Sequence, residues 1–264
     1  MYSGIHISYP LSLGPVKAGM RLKAALSSFL GRHTIVRPAR MAGIRALASI
    51  AFDDFPQNAW TLGGPVLARR GVHATYYTAG SFCGRTLDGT RFYDADDLRA
   101  LSAAGHEIGC HGFHHRPVPE LSANELAQDA GRNADFLRPF LSGGAADSYA
   151  FPYGRVSRAA KRFLSPRFSS LRGTHEGPNR DRLDLAQLSV VSLETRLWNE
   201  AALKAAIRRA AADKSWLIFY THDVSDNPGA YGSTPDMLDR VLGHVAAAGI
   251  TVLPVRDVVR EAFA

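Results

Sequence analysis

The chain has 264 residues, 46% of them hydrophobic, which suits one large α/β domain with a full core. Its two cysteines, Cys83 and Cys110, are too few for a disulfide framework and fit a reducing compartment. The formal charge of +7 is carried by residues 1 to 52, where Lys17, Arg21, Lys23, Arg32, Arg37, Arg40 and Arg45 meet no Asp or Glu, so the high isoelectric point says nothing about the remaining surface.

No apolar run reaches the roughly 18 to 20 residues of a membrane-spanning helix, and the first residues lack a basic, apolar and cleavage-site pattern of the secretory type. The expectation is a soluble cytoplasmic protein. Residues 1–45 read as a basic N-terminal arm in which "MRLKAALSSFL" places Leu22, Leu26, Phe29 and Leu30 at helical spacing. Such a helix packs on its own domain or makes peripheral contact with an anionic membrane, at the inner face in a cytoplasmic protein. Its cationic residues are not interleaved with aromatics, which argues against nucleic acid as a partner. Met20 is an alternative start to Met1.

From residue 46 onward, short apolar runs alternate with helical patterns. Strands are expected at 48–52, 73–78, 106–110, 148–151, 168–171, 188–191, 216–221 and 250–253. Helices are expected at 94–104, 122–138, 156–164, 199–212 and 235–248, with Gly105 and Gly249 as C-terminal caps. This alternation implies a parallel sheet with helical crossovers. No glycine-rich phosphate fingerprint follows the first strand, which favours the closed form, a (β/α) barrel of seven or eight units within 46–264.

Such a barrel places its active site at the C-terminal ends of its strands. Asp53 and Asp54 follow the first strand and "HGFHH", 111 to 115, follows the third. "PYG", 152 to 154, follows the fourth, and His222 with Asp223 follows the seventh. His111 could share one point with His115 at spacing four or with His114 at spacing three. Two histidines and a carboxylate are the ligands of a catalytic metal with an open position for water. Cys110 should point away from that metal as a core thiol, and His73 and His106 should be structural, at the opposite rim. Trp60 reads as core, Asp223 as a local hydrogen-bonding residue. The polar loop 223–235 should shape a substrate pocket, with Tyr231 as a stacking surface, before ending in a helix cap at Ser233-Thr234-Pro235.

"AFDDFP", "HGFHH", "FPYG" and "YTHD", in this order, resemble the NodB-type polysaccharide deacetylases, metal-dependent carbohydrate esterases on a distorted (β/α) barrel. The resemblance covers roughly residues 46 to 255. It implies one divalent metal, Zn2+ first with Co2+ or Ni2+ as alternatives, held by Asp54, His111 and His115. It further implies Asp53 as general base, the Tyr153 backbone N–H as oxyanion donor and His222 as general acid. The implied substrate is an N-acetylated sugar or a lipid-linked sugar intermediate. The runner-up is removal of a formyl group, or cleavage of another small amide or ester, on a lipid-linked amino sugar. A reading from another class is an inactive, glycan-binding barrel.

Three positions depart from the pattern. Ala150 stands where the family has an arginine that orients the base, and Arg172 is the expected substitute. Gly112 stands where Ser or Thr is common. In "DRLDL", Leu185 replaces a tryptophan of a motif whose carboxylate tunes the acid histidine, leaving Asp184, ahead of Asp181, as the expected tuning residue.

Overall fold

A computed structural model describes Phe29, residues 31–41 and residues 45–263. Apart from Phe29, the expected helix of "MRLKAALSSFL" lies outside the described residues.

The strands are β1 (Pro38–Arg40), β2 (Leu47–Phe52), β3 (Thr75–Thr78), β4 (Thr86–Leu87), β5 (Thr90–Arg91) and β6 (Glu107–Cys110), then β7 (Ser148–Ala150), β8 (Ser170–Glu176), β9 (Arg182–Asp184), β10 (Leu188–Ser192), β11 (Trp216–Thr221) and β12 (Thr251–Val252). β2, β3, β6, β7, β8, β10 and β11 are neighbours in that order, all parallel. β11 pairs back onto β2 from Trp216 opposite Leu47 to Thr221 opposite Phe52, which closes a seven-stranded barrel. β12 is not a full eighth stave. It pairs with Leu47 and Ala48, at the start of β2, while β3 pairs with Ala51 and Phe52 at the end. Since β11 occupies one edge of β2 throughout, β12 is a wedge between β2 and β3, and this is the distortion of the barrel.

All eight expected strands are present, the seventh with its expected ends, 216–221, and the others with shifted ends; the fifth runs longer, to Glu176. The pairs β1–β9 and β4–β5 were not legible, being two or three residues long, nor were the helices Gln57–Thr61, Gly63–Arg69 and Val255–Phe263.

Alternation along the strands sorts side chains between two layers. Leu47, Ala51, Tyr77, Ala150, Val190, Trp216, Ile218 and Tyr220 face the barrel interior, closed below by Val255, Val258 and Val259 of the last helix. Ala48, Ile50, Phe52, Tyr76, Leu217 and Phe219 face the outer helices. Complete burial of an Ile or Phe of this layer contributes about 1.5 to 3 kcal/mol. The lower interior is polar: Glu107 accepts from Thr75 Oγ1 at 2.8 Å, Ser148 Oγ at 2.5 Å and the Arg256 N–H at 2.8 Å, tying the last helix to the floor. His106 is structural as expected. Its Nδ1 accepts the Ala74 N–H at 3.0 Å, and burial, with His73 and Arg256 nearby, pushes its pKa down to about 4, which keeps the ring neutral.

The stretch 31–41, assigned to the arm by its charge, packs against the barrel. β1 pairs antiparallel with β9, the buried Lys161 ammonium donates to the Gly31 and Thr34 carbonyls, and the Arg37 guanidinium donates to the Phe168 and Ser169 carbonyls at 2.9 Å. Contact with the barrel therefore begins well before residue 45, the expected end of the arm.

Candidate metal centre and active site

Neighbouring residues of a strand point to opposite faces, so Asp53 and Asp54 share a cavity only because the chain turns between them. Asp54 and Phe55 have φ of +61° and +54°. Such backbone costs of the order of 1 to 3 kcal/mol per residue and persists where its surroundings over-determine it. Here the anchor is Phe55, fully buried and stacked on Tyr93 at 4.8 Å between ring centroids.

The turn after β6 brings His111 and His115 to the same point. Their Nε2 atoms lie 3.3 and 3.0 Å from Asp54 Oδ1, all three side chains are buried, and their ligand atoms lie within 4.8 Å of one another. His111 Nδ1 sits 2.8 Å from the Ala150 carbonyl oxygen, an acceptor, so Nδ1 carries a proton and Nε2 is the ring nitrogen that faces Asp54. Asp54 Oδ1 is buried without a hydrogen-bond partner. Burial acts to raise the Asp54 carboxyl, but His115 and His111 outweigh it and hold it well below the ordinary carboxylate range. Three possible ligand atoms on one buried point could hold a divalent cation, and three protein donors would leave an open position for water. His114, the alternative partner at spacing three, instead turns outward with its Nδ1 2.8 Å from Asp129 Oδ1.

Asp53 continues the inward-facing series of β2 and stays outside this cluster. The Arg172 Nη2 donates to its Oδ1 in a short ion pair between two buried side chains. Burial would raise the Asp53 carboxyl; Arg172, then His111 and His222, overcome this and hold it below the ordinary value. Arg172 lies directly across from Ala150 in the β7–β8 register. The guanidinium thus occupies the same layer one strand along, where the small Ala150 leaves room for it. It lies 4.7 and 5.5 Å from the ring centroids of Tyr77 and Tyr220, within cation–π range of both. Tyr220 in turn donates to the fully buried Glu194 at 2.7 Å. Tyr77, Tyr220 and Glu194 were not singled out in the sequence; the in-phase spacing of Tyr220 and His222 was the available signal.

Pro152–Gly154 form a single 3₁₀ turn with Tyr153 at φ +56°. The turn is closed by the Gly154 N–H donating to the Phe151 carbonyl at 2.8 Å. The Tyr153 N–H, at the start of the turn, is among the donors that such a start leaves without a partner inside it. Gly154 is required by contact: a Cβ there would sit 1.9 Å from Thr174 Oγ1. The Tyr153 ring covers His115 at 4.5 Å between centroids, and burial, with Asp54 and Glu120 nearby, pushes its hydroxyl up to about 12, so the phenol stays protonated.

Across the cleft, His222 Nδ1 lies 3.2 Å from the Tyr231 carbonyl, which makes Nδ1 a donor and leaves Nε2 for other work. Asp223 acts locally, as expected, with Oδ2 accepting the Gly229 N–H at 3.1 Å. Thr234 caps the next helix by accepting the Met237 N–H, with Pro235 at its first turn. One face of Tyr231 is occupied by the Arg196 guanidinium at 4.6 Å. Together these groups line a cleft of about 290 Å³ that contains Asp53, Asp54, His111, His115, Tyr153 and His222.

Asp184 does not join them, which corrects the expectation of a residue tuning His222. Its carboxylate pairs with the buried Lys161 at 2.7 Å and accepts the N–H groups of Val36, Arg37 and Ala186 at 3.1, 2.8 and 3.0 Å. It is a wall-stitching residue, fully engaged on the β1–β9 side. Cys110 is a core thiol as expected, accepting from Asn133 Nδ2 at 3.1 Å.

Fold and site together define a class, a closed (β/α) barrel with a cluster of two histidines and one carboxylate that could hold a metal ion at its C-terminal rim, and a second carboxylate beside it. Residues 43–165 match the family model described as polysaccharide deacetylase. A chitin deacetylase from Arthroderma benhamiae is 24% identical over 135 residues, 50% of this chain and 33% of that protein, so the chain spans about a third of that curated relative. Among solved structures, a T48 deacetylase with substrate aligns with a TM-score of 0.59 at 16% identity, covering 83% of this chain and 92% of that one. A family 4 acetyl xylan esterase from Clostridium thermocellum, in complex with a cobalt ion, aligns at 0.56 and 17%, covering 81% and 91%. These two share the barrel fold.

Proposed function

We propose that the chain is a metal-dependent deacetylase that removes the N-acetyl group of a sugar or lipid-linked sugar intermediate. The observation that carries this reading is the division of labour within the Asp pair: Asp54 converges with His111 and His115, while Asp53, held by Arg172, faces the same cleft without joining them.

A divalent ion on Asp54, His111 and His115 would lower the pKa of its water from about 15.7 towards about 7 and polarise the amide carbonyl. Zn2+ suits the donor set best, with Co2+ and Ni2+ as alternatives. Asp53, kept ionised by Arg172, takes the proton of the attacking water. The Tyr153 N–H donates to the oxyanion, a contact typically worth roughly 3 to 4 kcal/mol. His222, with Nδ1 committed to the Tyr231 carbonyl, protonates the departing amine from Nε2 as the C–N bond breaks. The products are acetate and a free amino sugar.

The test is acetate release from N-acetylated sugars with added Zn2+, Co2+ or Ni2+. Asp53→Asn and His222→Ala are each expected to lower kcat by about 10²- to 10⁴-fold, the range for loss of a general base or acid. Unchanged hydrolysis in both variants would sink the mechanism, and release of formate in place of acetate would move the acyl group to the runner-up.

A further inference from the structure

We propose that Asp129, outside the cleft, is a positioning residue for the metal centre, holding the turn Gly112–His115 so that His115 presents its Nε2 to the cation. This rests on the reading of Asp54, His111 and His115 as ligands.

Helix Ala123–Leu137, which opens on a capping box between Ser122 and Glu125, directs one face at the loops after β3 and β6. From that face Asn133 accepts the Gly80 N–H at 2.9 Å and donates to the Thr78 carbonyl at 3.0 Å. One turn earlier, the buried Asp129 reaches beneath the histidine turn. Its Oδ2 accepts the Phe113 N–H at 2.9 Å and its Oδ1 the His114 N–H at 3.0 Å. Hydrogen bonds to an ionised acceptor are roughly twice as strong as neutral ones.

Gly112 makes this reach available. It sits at φ +69°, and a Cβ there would lie 2.7 Å from Asp129 Oδ2, inside contact distance. The carboxylate and the missing side chain are therefore one device. The device matters because His115 itself has φ +51°, a conformation uncommon outside glycine. With Phe113 and His114 pinned by Asp129, the chain enters His115 in a set direction, and Nε2 arrives 3.0 Å from Asp54 Oδ1.

The experiment is Co2+ binding to metal-free protein, read by chelator competition and by the visible spectrum of the bound ion, without any substrate. Asp129→Asn keeps the shape but sets an NH2 against one of the two N–H groups; Gly112→Ala keeps the carboxylate in the sequence but drives it off the turn. Each is expected to weaken Co2+ binding by about 10- to 100-fold, the usual effect of removing a support behind a metal ligand, and to alter the spectrum. His114→Ala removes the ring contacts to Asp129, Arg132 and Phe113 but keeps both backbone N–H groups on Asp129, and should match wild type in both readouts. Circular dichroism checks folding, and if Asp129→Asn does not fold, Gly112→Ala carries the test alone. Wild-type affinity and spectrum in a folded Asp129→Asn or Gly112→Ala protein would overturn the proposal. Wild-type protein that binds no Co2+ would overturn the metal reading itself, a distinct result that takes this proposal with it.

Discussion

Arg172→Met is expected to lower kcat by about 10²-fold, because a base displaced by even 1 Å loses its approach to the attacking water. The same change should cost about 3 to 5 kcal/mol of stability near pH 7, since it leaves Asp53 buried and unpaired. The pH dependence separates this from general damage. In wild type the Asp53 carboxyl is held below its ordinary value, so its pairing contributes stability above the unfolded carboxylate range and loses it as pH falls through the lowered value. Without the guanidinium, burial acts with less opposition and the carboxyl moves up. The stability deficit should therefore be largest near neutrality and shrink in acid, while the acidic limb of the rate profile shifts to higher pH. Urea titrations at several pH values and a pH–rate profile check both. A profile superimposable on wild type would mean that Arg172 does not set the state of Asp53.

Asp54→Asn is expected to abolish the response to metal. A cation bound at 100 times its dissociation constant stabilises wild type by about 2.7 kcal/mol through mass action, which a thermal melt records directly. The variant keeps the shape of the side chain but loses its charge, and its melting temperature should no longer respond to added Zn2+, with acetate release at background. A metal-induced shift equal to that of wild type would remove Asp54 from the ligand set. This readout needs no substrate, so it stands whichever sugar proves correct.

The two cases differ in how much of them the amino-acid sequence reveals. Asp54, His111 and His115 were legible because strand ends are local features: an apolar run stops, polar residues follow, and a parallel barrel gathers all such ends on one rim. The ambiguity between His114 and His115 was settled by the turn after β6, where Asp129, 15 residues on from His114, takes one histidine outward. Arg172 was legible as a candidate only. That it meets Asp53 depends on the register of β7 against β8, which sets Ala150 beside Arg172. Asp184 shows the converse failure. A local Asp-x-x-Asp pattern suggested a partner for His222, but β9 pairs with β1, and Lys161 claims the carboxylate.

The alternation of strands and helices, the strand ends and the residue types at them are written in short stretches of chain, because periods of two and of 3.6 residues need only a few neighbours to be seen. The count of seven staves, the wedge of β12, the partner of Asp53 and the place of Asp184 were decided by barrel closure. Each is a pairing between segments distant in sequence, and only the packed interior, where space and charge must be matched at once, selects among the alternatives.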